Sequence, residues 1–377
     1  MTFQPPGGPP PPPPPGGPPP GNPYPPQGYP GPQQPWPQQQ PWAGGPPPRK
    51  RGNGWKWALV GLALLVVIGV TVAVTISVTK GGDDDGPTPT GETFGLASAD
   101  DKGPANIITE DPSCAAWTPI AQTFIDKERA AGWNERDPSV GASAWTSEQR
   151  SMYETVARAA RDAADQTVAI AKVTPHRVIR EMYEQYIAYA RAYSDAIPNY
   201  EPSDDHLARV FSSTGSAIAH ACSAIRYGSA ESRSPLVPSA AEPSESAPLQ
   251  NPSIPTQFMT SADPKCQDWV RRLDQFAAAT KDWQDLDPSI SASGWTADQR
   301  KVVDAVIPVM NTLADDIQAM GEASDNLVFR DFAVFAAQYR RAYATALPSY
   351  TVADSYLSGV ASSTTSAIWE ACKAAGS

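Results

Sequence analysis

The stretch DPSVGASAWTSEQR at 137–150 returns as DPSISASGWTADQR at 287–300. The same offset of 150 positions relates Arg180 to Arg330, Tyr189 to Tyr339, Arg191 to Arg341, Tyr193 to Tyr343, Pro198 to Pro348 and Tyr200 to Tyr350. It also relates Ser212-Ser213-Thr214 to Ser362-Ser363-Thr364 and Cys222 to Cys372. Near the start of each copy the offset becomes 152, aligning Asp111-Pro112, Cys114 and Trp117 with Asp263-Pro264, Cys266 and Trp269. A register held over about a hundred residues marks one folded unit made twice.

Each copy reads as four helices. The first opens at Asp111-Pro112 or Asp263-Pro264, a carboxylate N-cap followed by proline at the first helical position. The second opens with Thr146-Ser147-Glu148-Gln149 or Thr296-Ala297-Asp298-Gln299, both capping boxes. The third starts near Thr174-Pro175 or Ser324-Asp325. The fourth follows Ile197-Pro198 or Leu347-Pro348, where proline ends the preceding helix. Ile179, Met182, Tyr183, Tyr186, Ala190 and Tyr193 form one apolar stripe at helical spacing, and Leu207, Val210, Phe211, Ile218, Cys222 and Ile225 form another. Pro308 has no partner in the first copy and is expected to kink the second helix there. Four helices joined by short loops favour an up-down-up-down bundle. The fold class is therefore all-α, with two tandem disulfide-tied four-helix-bundle repeats.

The chain has four cysteines. Cys114 and Cys222 bracket the first copy, Cys266 and Cys372 the second. Of the three possible pairings, the duplication selects the one in which each unit ties its own start to its own end. In an up-down-up-down bundle those two points lie at the same end, so topology and pairing agree. Closing a loop of about 100 residues is worth about 4–5 kcal/mol in the chain-entropy account. The long spacings and the lack of a Cys-x-x-Cys argue against zinc.

The remaining segments divide the chain further. Residues 1–54 hold 23 of the 42 prolines and no charge before Arg49, so they cannot build a core and are expected to be disordered with polyproline II character. Residues 57–79 carry no charge and are long enough to cross a bilayer of about 30 Å. Arg49, Lys50, Arg51 and Lys56 precede this span, with Trp55 and Trp57 at its edge. The positive-inside rule then places the N-terminus in the cytoplasm and the repeats outside. Residues 80–110 and 229–261 read as linkers, the second Pro/Ser/Ala-rich and semi-flexible, flanking helical repeats at 111–228 and 262–377. A net charge of −11 argues against nucleic acid as a partner.

The chain contains no Gly-x-Ser-x-Gly, His-Glu-x-x-His, P-loop or Gly-x-Gly-x-x-Gly motif. Its three histidines, His176, His206 and His220, align with Asn326, Tyr356 and Glu370, so no site present in both copies uses them. Catalytic, cofactor-binding and metal residues are accordingly assigned to none. The matched arginines carry two readings. Arg180 and Arg191 are eleven apart, three helical turns, and Arg330 and Arg341 repeat this; Arg150 and Arg300 add a third matched pair. Together they would suit an anion-recognising groove. Interhelical pairing with Asp137/Asp287 or Asp204/Asp354 is the preferred alternative. The matched aromatics Trp117/Trp269, Trp133/Trp283, Trp145/Trp295 and Tyr200/Tyr350 are expected in the core.

The head at Pro5 to Gly21, Tyr24 and Tyr29 among Pro, Gly and Gln, the Arg49-Lys50-Arg51 edge and the Ala-rich outer part resemble the proline-rich single-pass membrane proteins of actinobacteria, especially mycobacteria. The resemblance covers roughly the first 80 residues and implies a cell-envelope location, with no catalytic residues to carry over. The expected function is that of a non-enzymatic envelope membrane protein. One helix meets the lipid bilayer, and the duplicated outer units bind or scaffold an envelope protein partner. Lipid or small-ligand binding by the bundles and an enzyme are the alternatives. The oligomeric state is not encoded in any feature above.

Overall fold

The structure, a computed structural model, describes residues 93–376. The proline-rich head, the candidate span at 57–79 and the first part of the 80–110 segment lie outside the described residues. Among the described residues no helix is long and apolar enough to cross a membrane, and no strand occurs. The chain is all-α there, with two disulfides.

The first copy contributes α1 (Cys114–Ala130), α2 (Ser147–Ala171), α3 (Arg177–Ala196) and α4 (Asp205–Arg226), followed by a short α5 (Ser229–Arg233). The second contributes α6 (Cys266–Ala279), a short α7 (Lys281–Gln284), α8 (Ala297–Glu322), α9 (Leu327–Ala346) and α10 (Ser355–Ala374). Within each copy successive long helices pack on one another, and the first touches the fourth. The bridges join Cys114 to Cys222 and Cys266 to Cys372.

Local chemistry sets the helix starts. Thr146 accepts a hydrogen bond from the Gln149 amide at 3.2 Å, while Gln149 Oε1 accepts from the Thr146 amide at 2.9 Å. Thr296 and Gln299 repeat both bonds. Each box satisfies amides that helix geometry leaves without partners. The first helices differ from expectation. They begin at Cys114 and Cys266, with Ser113 and Lys265 at the N-cap position, rather than at the aspartates. Asp111 and Asp263 instead close a turn just upstream, accepting from the amides of Ser113 and Lys265. Their second oxygens accept from Thr174 and Ser324, ahead of the third helices, at 2.6 Å each. A carboxylate that accepts two bonds from different elements fixes the loop as well as the helix entry. Pro308 is exposed within a single uninterrupted α8.

The third helices form the centre. Residues 177–190 of α3 and 331–340 of α9 are buried without interruption. Burial on every side means these helices are covered by more than their own bundle. Part of the cover is the other copy: α3 meets α9, and α4 against α10 is the largest interhelical interface of all. Equivalent helices thus pair with each other. Their contacts are reciprocal, as in an isologous interface. His206 Nδ1 lies 2.7 Å from Glu370 Oε2, and at the aligned positions His220 and Tyr356 face each other with ring centroids 6.5 Å apart. Gly359 makes this approach possible, since a Cβ there would lie 2.6 Å from the His220 ring.

The rest of the cover comes from the two segments read as linkers. Residues 93–110 and 229–261 are packed, which corrects the expectation of a semi-flexible spacer between the copies. Leu96, Ala105, Ile107 and Ile108 are buried, as are Val237, Ala240 and Met259. Each segment crosses to the other copy's third helix. The Ile108 amide donates to Tyr339 on α9, and the aligned Tyr189 on α3 donates to the Met259 carbonyl. Gln185 on α3 donates to the Thr256 carbonyl and accepts from the Phe258 amide. The two segments also touch each other, Asn106 bonding to Ser239 and to the Ala240 amide. Apolar burial and satisfied backbone groups explain why a Pro/Ser-rich stretch lies ordered here.

Candidate functional site

Where α3 meets α9, six ionisable side chains converge in the interior. Arg177 donates to Asp331 at 2.8 Å, across the two copies. Arg177 and Arg180 lie 3.8 and 3.7 Å from Glu181, Arg180 lies 3.4 Å from Glu184, and Arg330 lies 3.8 Å from Asp331. Arg180-Glu181 and Arg330-Asp331 are the same dipeptide position in the two copies, so each copy's central helix brings it to the shared seam. Arg177 and Glu184 exist only in the first copy, where Leu327 and Val334 are their counterparts.

The upstream segment closes the cluster from outside. Arg177 donates to the Gly103 carbonyl at 2.8 Å, its amide donates to Asp101, and Arg180 donates to Ser98 Oγ at 3.0 Å. Arg330 donates to the Glu245 carbonyl of the other segment. Three arginines face three carboxylates, but the hydrogen bonding is incomplete. Both Glu181 oxygens, Glu184 Oε1, Arg177 Nη2 and the Nε atoms of Arg180 and Arg330 are buried without a hydrogen-bond partner. Burial, reinforced by the neighbouring Asp331 charge, pushes the Glu181 carboxyl well above the usual range. Burial also raises Glu184 to about 7, against the opposing pull of Arg180.

The six arginines considered from sequence are not brought together as one groove. Arg180 and Arg330 belong to the buried cluster. Arg150 and Arg300 each donate to a loop carbonyl, Ala142 or Ala292, at 2.8 Å and lie over Trp145 or Trp295. Arg191 and Arg341 pair with Asp165 and Asp315 on the neighbouring second helix. The expected acidic partners are therefore corrected. Asp137 and Asp287 fold back on the amides of Ser139 and Ser289. Asp204 bonds to the Glu201 amide, and Asp354 bonds to the Thr351 amide and takes Arg233. Residues 26 apart across a helical hairpin meet at a register that sequence spacing alone does not fix.

The matched aromatics are structural. Trp117 and Trp269 are buried. Tyr200 and Tyr350 donate to the carbonyls of Pro138 and Pro288, at 3.0 and 2.6 Å, which pins the repeated DPS loop against the end of the third helix. His176 bonds to the Glu110 carbonyl, and its counterpart Asn326 donates to the Phe258 carbonyl, so both tie a third helix to its upstream segment. The buried Glu181, Glu184 and Asp331 were missed from sequence. Their signal was the adjacent Arg-Glu and Arg-Asp pair at the same position near the start of the two third helices. Two surface grooves, about 360 Å³ beside Cys266 and Lys373 and about 640 Å³ beside Lys127 and Met152, are lined by none of the six arginines.

Comparison with known proteins agrees with a body that spans both copies. A family model described as mycobacterial ESX-1 associated protein matches residues 96–376. An uncharacterized protein of Mycolicibacterium smegmatis (strain MKD8) is 45% identical over 343 residues, 89% of this chain and 90% of the relative. No solved structure matches the chain.

Proposed function

The chain belongs to the mycobacterial ESX-1 associated protein family, and from that premise we propose that it is a non-enzymatic envelope scaffold for a protein partner in a secretion context. In this reading residues 57–79 anchor the chain in the plasma membrane with the proline-rich head in the cytoplasm. The outer part presents two tandem four-helix bundles as one block. The observation that carries the reading is where the polar residues shared by both copies are used. Arg150, Arg180, Arg191 and their counterparts bond to loop carbonyls, helix carboxylates and the upstream segments. A duplication whose matched polar chemistry serves internal rigidity suits a platform that holds other proteins in fixed geometry.

The test is crosslinking and recovery of the full-length protein from native mycobacterial membranes, beside a version lacking residues 1–48. Reproducible capture of secretion-system proteins by the full chain supports the scaffold. Its loss on truncation assigns that contact to the head, and its retention assigns it to the outer block. Recovery of lipid alone overturns the scaffold and favours ligand binding by the bundles.

A further inference from the structure

The two disulfides occupy the same place in the two copies but are not covered alike. Cys114 and Cys222 are both half-buried. Cys266 and Cys372 are 1% and 0% exposed. The neighbouring side chains account for the difference. Cys114 is followed by Ala115 and Cys222 by Ser223, whereas Cys266 is followed by Gln267 and Cys372 by Lys373. Gln267 and Lys373 stand with Cys266 around one surface groove, so the longer side chains shield the second bridge. The 229–261 segment covers it from another side, with the buried Met259 Sδ 3.6 Å from Cys266 Sγ. Around the first bridge Ala115, Ala116 and Thr118 on α1 are exposed, as are Arg226 and Tyr227 just beyond Cys222.

Exchange between a thiol and a disulfide requires a thiolate to reach one of the two sulfurs, so its rate follows access. A covered bridge reacts only after the structure around it opens. Exposed bridges are accordingly the exchangeable ones, and covered bridges last. The helices behind the two bridges differ in the same direction. Trp117 and Phe124 are the buried residues of α1, and its cysteine is not among them; on α6 Cys266 itself is buried beside Trp269 and Phe276.

We propose that Cys114–Cys222 is a thiol-exchange site that takes an external dithiol as its reductant, while Cys266–Cys372 is a permanent brace. A thiolate of the dithiol attacks one sulfur of the bridge. A new S–S bond forms to the reagent, the Cys114–Cys222 bond breaks, and the other cysteine leaves as a thiolate that takes up a proton. The second thiol of the reagent then attacks the mixed disulfide and releases the remaining cysteine. The dithiol ends as a disulfide, and the bridge has gained two electrons and two protons. The product is a body in which the start of α1 is untied from the end of α4 and the second copy stays closed. The redox state of one bridge thus acts on one half of the block, whether or not that block holds a partner.

The test uses the wild-type full chain in non-denaturing buffer with dithiothreitol as the dithiol. Samples are quenched over time, free thiols are alkylated, the remaining bridges are reduced and alkylated with an isotopically heavier reagent, and the four cysteine peptides are quantified. Cys114 and Cys222 are expected to be freed at least about tenfold faster than Cys266 and Cys372. Equal rates, or a faster second bridge, overturn the proposal. The same measurement in concentrated guanidinium chloride removes the cover from both bridges and should bring the two rates together. A tenfold difference that persisted there would belong to the residues flanking each cysteine rather than to the fold, and would overturn the proposal too. Hydrogen exchange on the singly reduced protein reads the product: exchange should quicken in α1 and stay unchanged in α6, and an unchanged α1 overturns the untied state.

Discussion

Arg177 is the residue on which the two copies most directly depend. It links Asp331 of the second copy to the Gly103 carbonyl of the upstream segment. Arg177→Met would leave Asp331 beside Arg330 alone and is expected to cost about 3–5 kcal/mol, the range for breaking a buried pair from one side. Arg177→Met combined with Asp331→Leu should recover much of that loss, because removing both charges also removes their desolvation. A double-mutant cycle read by chemical denaturation separates the two effects. The same cluster gives a pH dependence. Glu184 is raised by burial to about 7 in the folded state, so its folded pKa lies above its unfolded value. Its stabilising contribution is complete below about pH 4 and is lost as pH rises through 7. His220 acts on the other side. Burial holds it down to about 4, so its contribution is present above its unfolded value near 6.5 and falls away in acid. Between about pH 4.5 and 6.5 the two contributions oppose each other and largely cancel in the wild type. Glu184→Gln should remove the fall between about pH 4.5 and 7 and uncover the His220 rise over the same range, and thermal melts across pH 4–9 read both.

At the scale of elements, the first helix of each copy is held least. Only Trp117 and Phe124 are buried on α1, and Cys266, Trp269 and Phe276 on α6. The disulfide at each N-terminus supplies what the narrow apolar contact does not. Replacing Cys114 and Cys222 by serine is expected to cost about 2–5 kcal/mol. Hydrogen exchange should show α1 opening before α3, whose amides lie at the centre of the molecule. The seam between α4 and α10 is limited by sterics instead. Gly359→Leu would drive side-chain atoms into the His220 ring and should separate the copies while leaving each helix formed. Retained helical circular dichroism with a lower Tm and a larger hydrodynamic radius would show this. An unchanged radius and Tm would mean that the seam accommodates the side chain.

At the scale of the molecule, the two copies form one cooperative body. Each upstream segment crosses to the other copy, and the central helices share one charged seam. Residues 93–376 are expected to unfold in a single calorimetric transition, with the calorimetric and van't Hoff enthalpies equal. Residues 111–228 alone would expose the α4 face and leave Arg177 without Asp331 and the Gly103 carbonyl. That fragment should be far less stable than the whole, not half of a pair of independent beads. Two separate transitions in the intact body would contradict this picture. A block of this kind keeps a fixed relation between its outer surfaces, which is the property the scaffold reading needs.

By itself the sequence determined the repeated unit, its helices and the cysteine pairing. These follow from short-range rules: 3.6-residue periodicity, capping boxes at Thr146 and Thr296, proline at helix ends, and a duplication that leaves one sensible pairing. Of the matched aromatics expected in the core, Trp117, Trp133, Trp145, Trp269, Tyr200 and Tyr350 are buried, while Trp283 and Trp295 are only half-buried. Only the tertiary structure decided what lies between the copies. Spacing shows that Arg180 and Arg191 share a face but not that Arg180 meets Ser98 while Arg191 meets Asp165, because those pairings depend on how separate segments dock. Composition marks 229–261 as a linker, yet Gln185, Tyr189 and Asn106 supply the hydrogen bonds that hold it in place. Arg340 has no counterpart in the first copy, and only the fold shows it buried over the Phe276 ring. Local structure is set by neighbours in the chain, whereas burial, and with it the cost and the use of a charge, is set by neighbours in space.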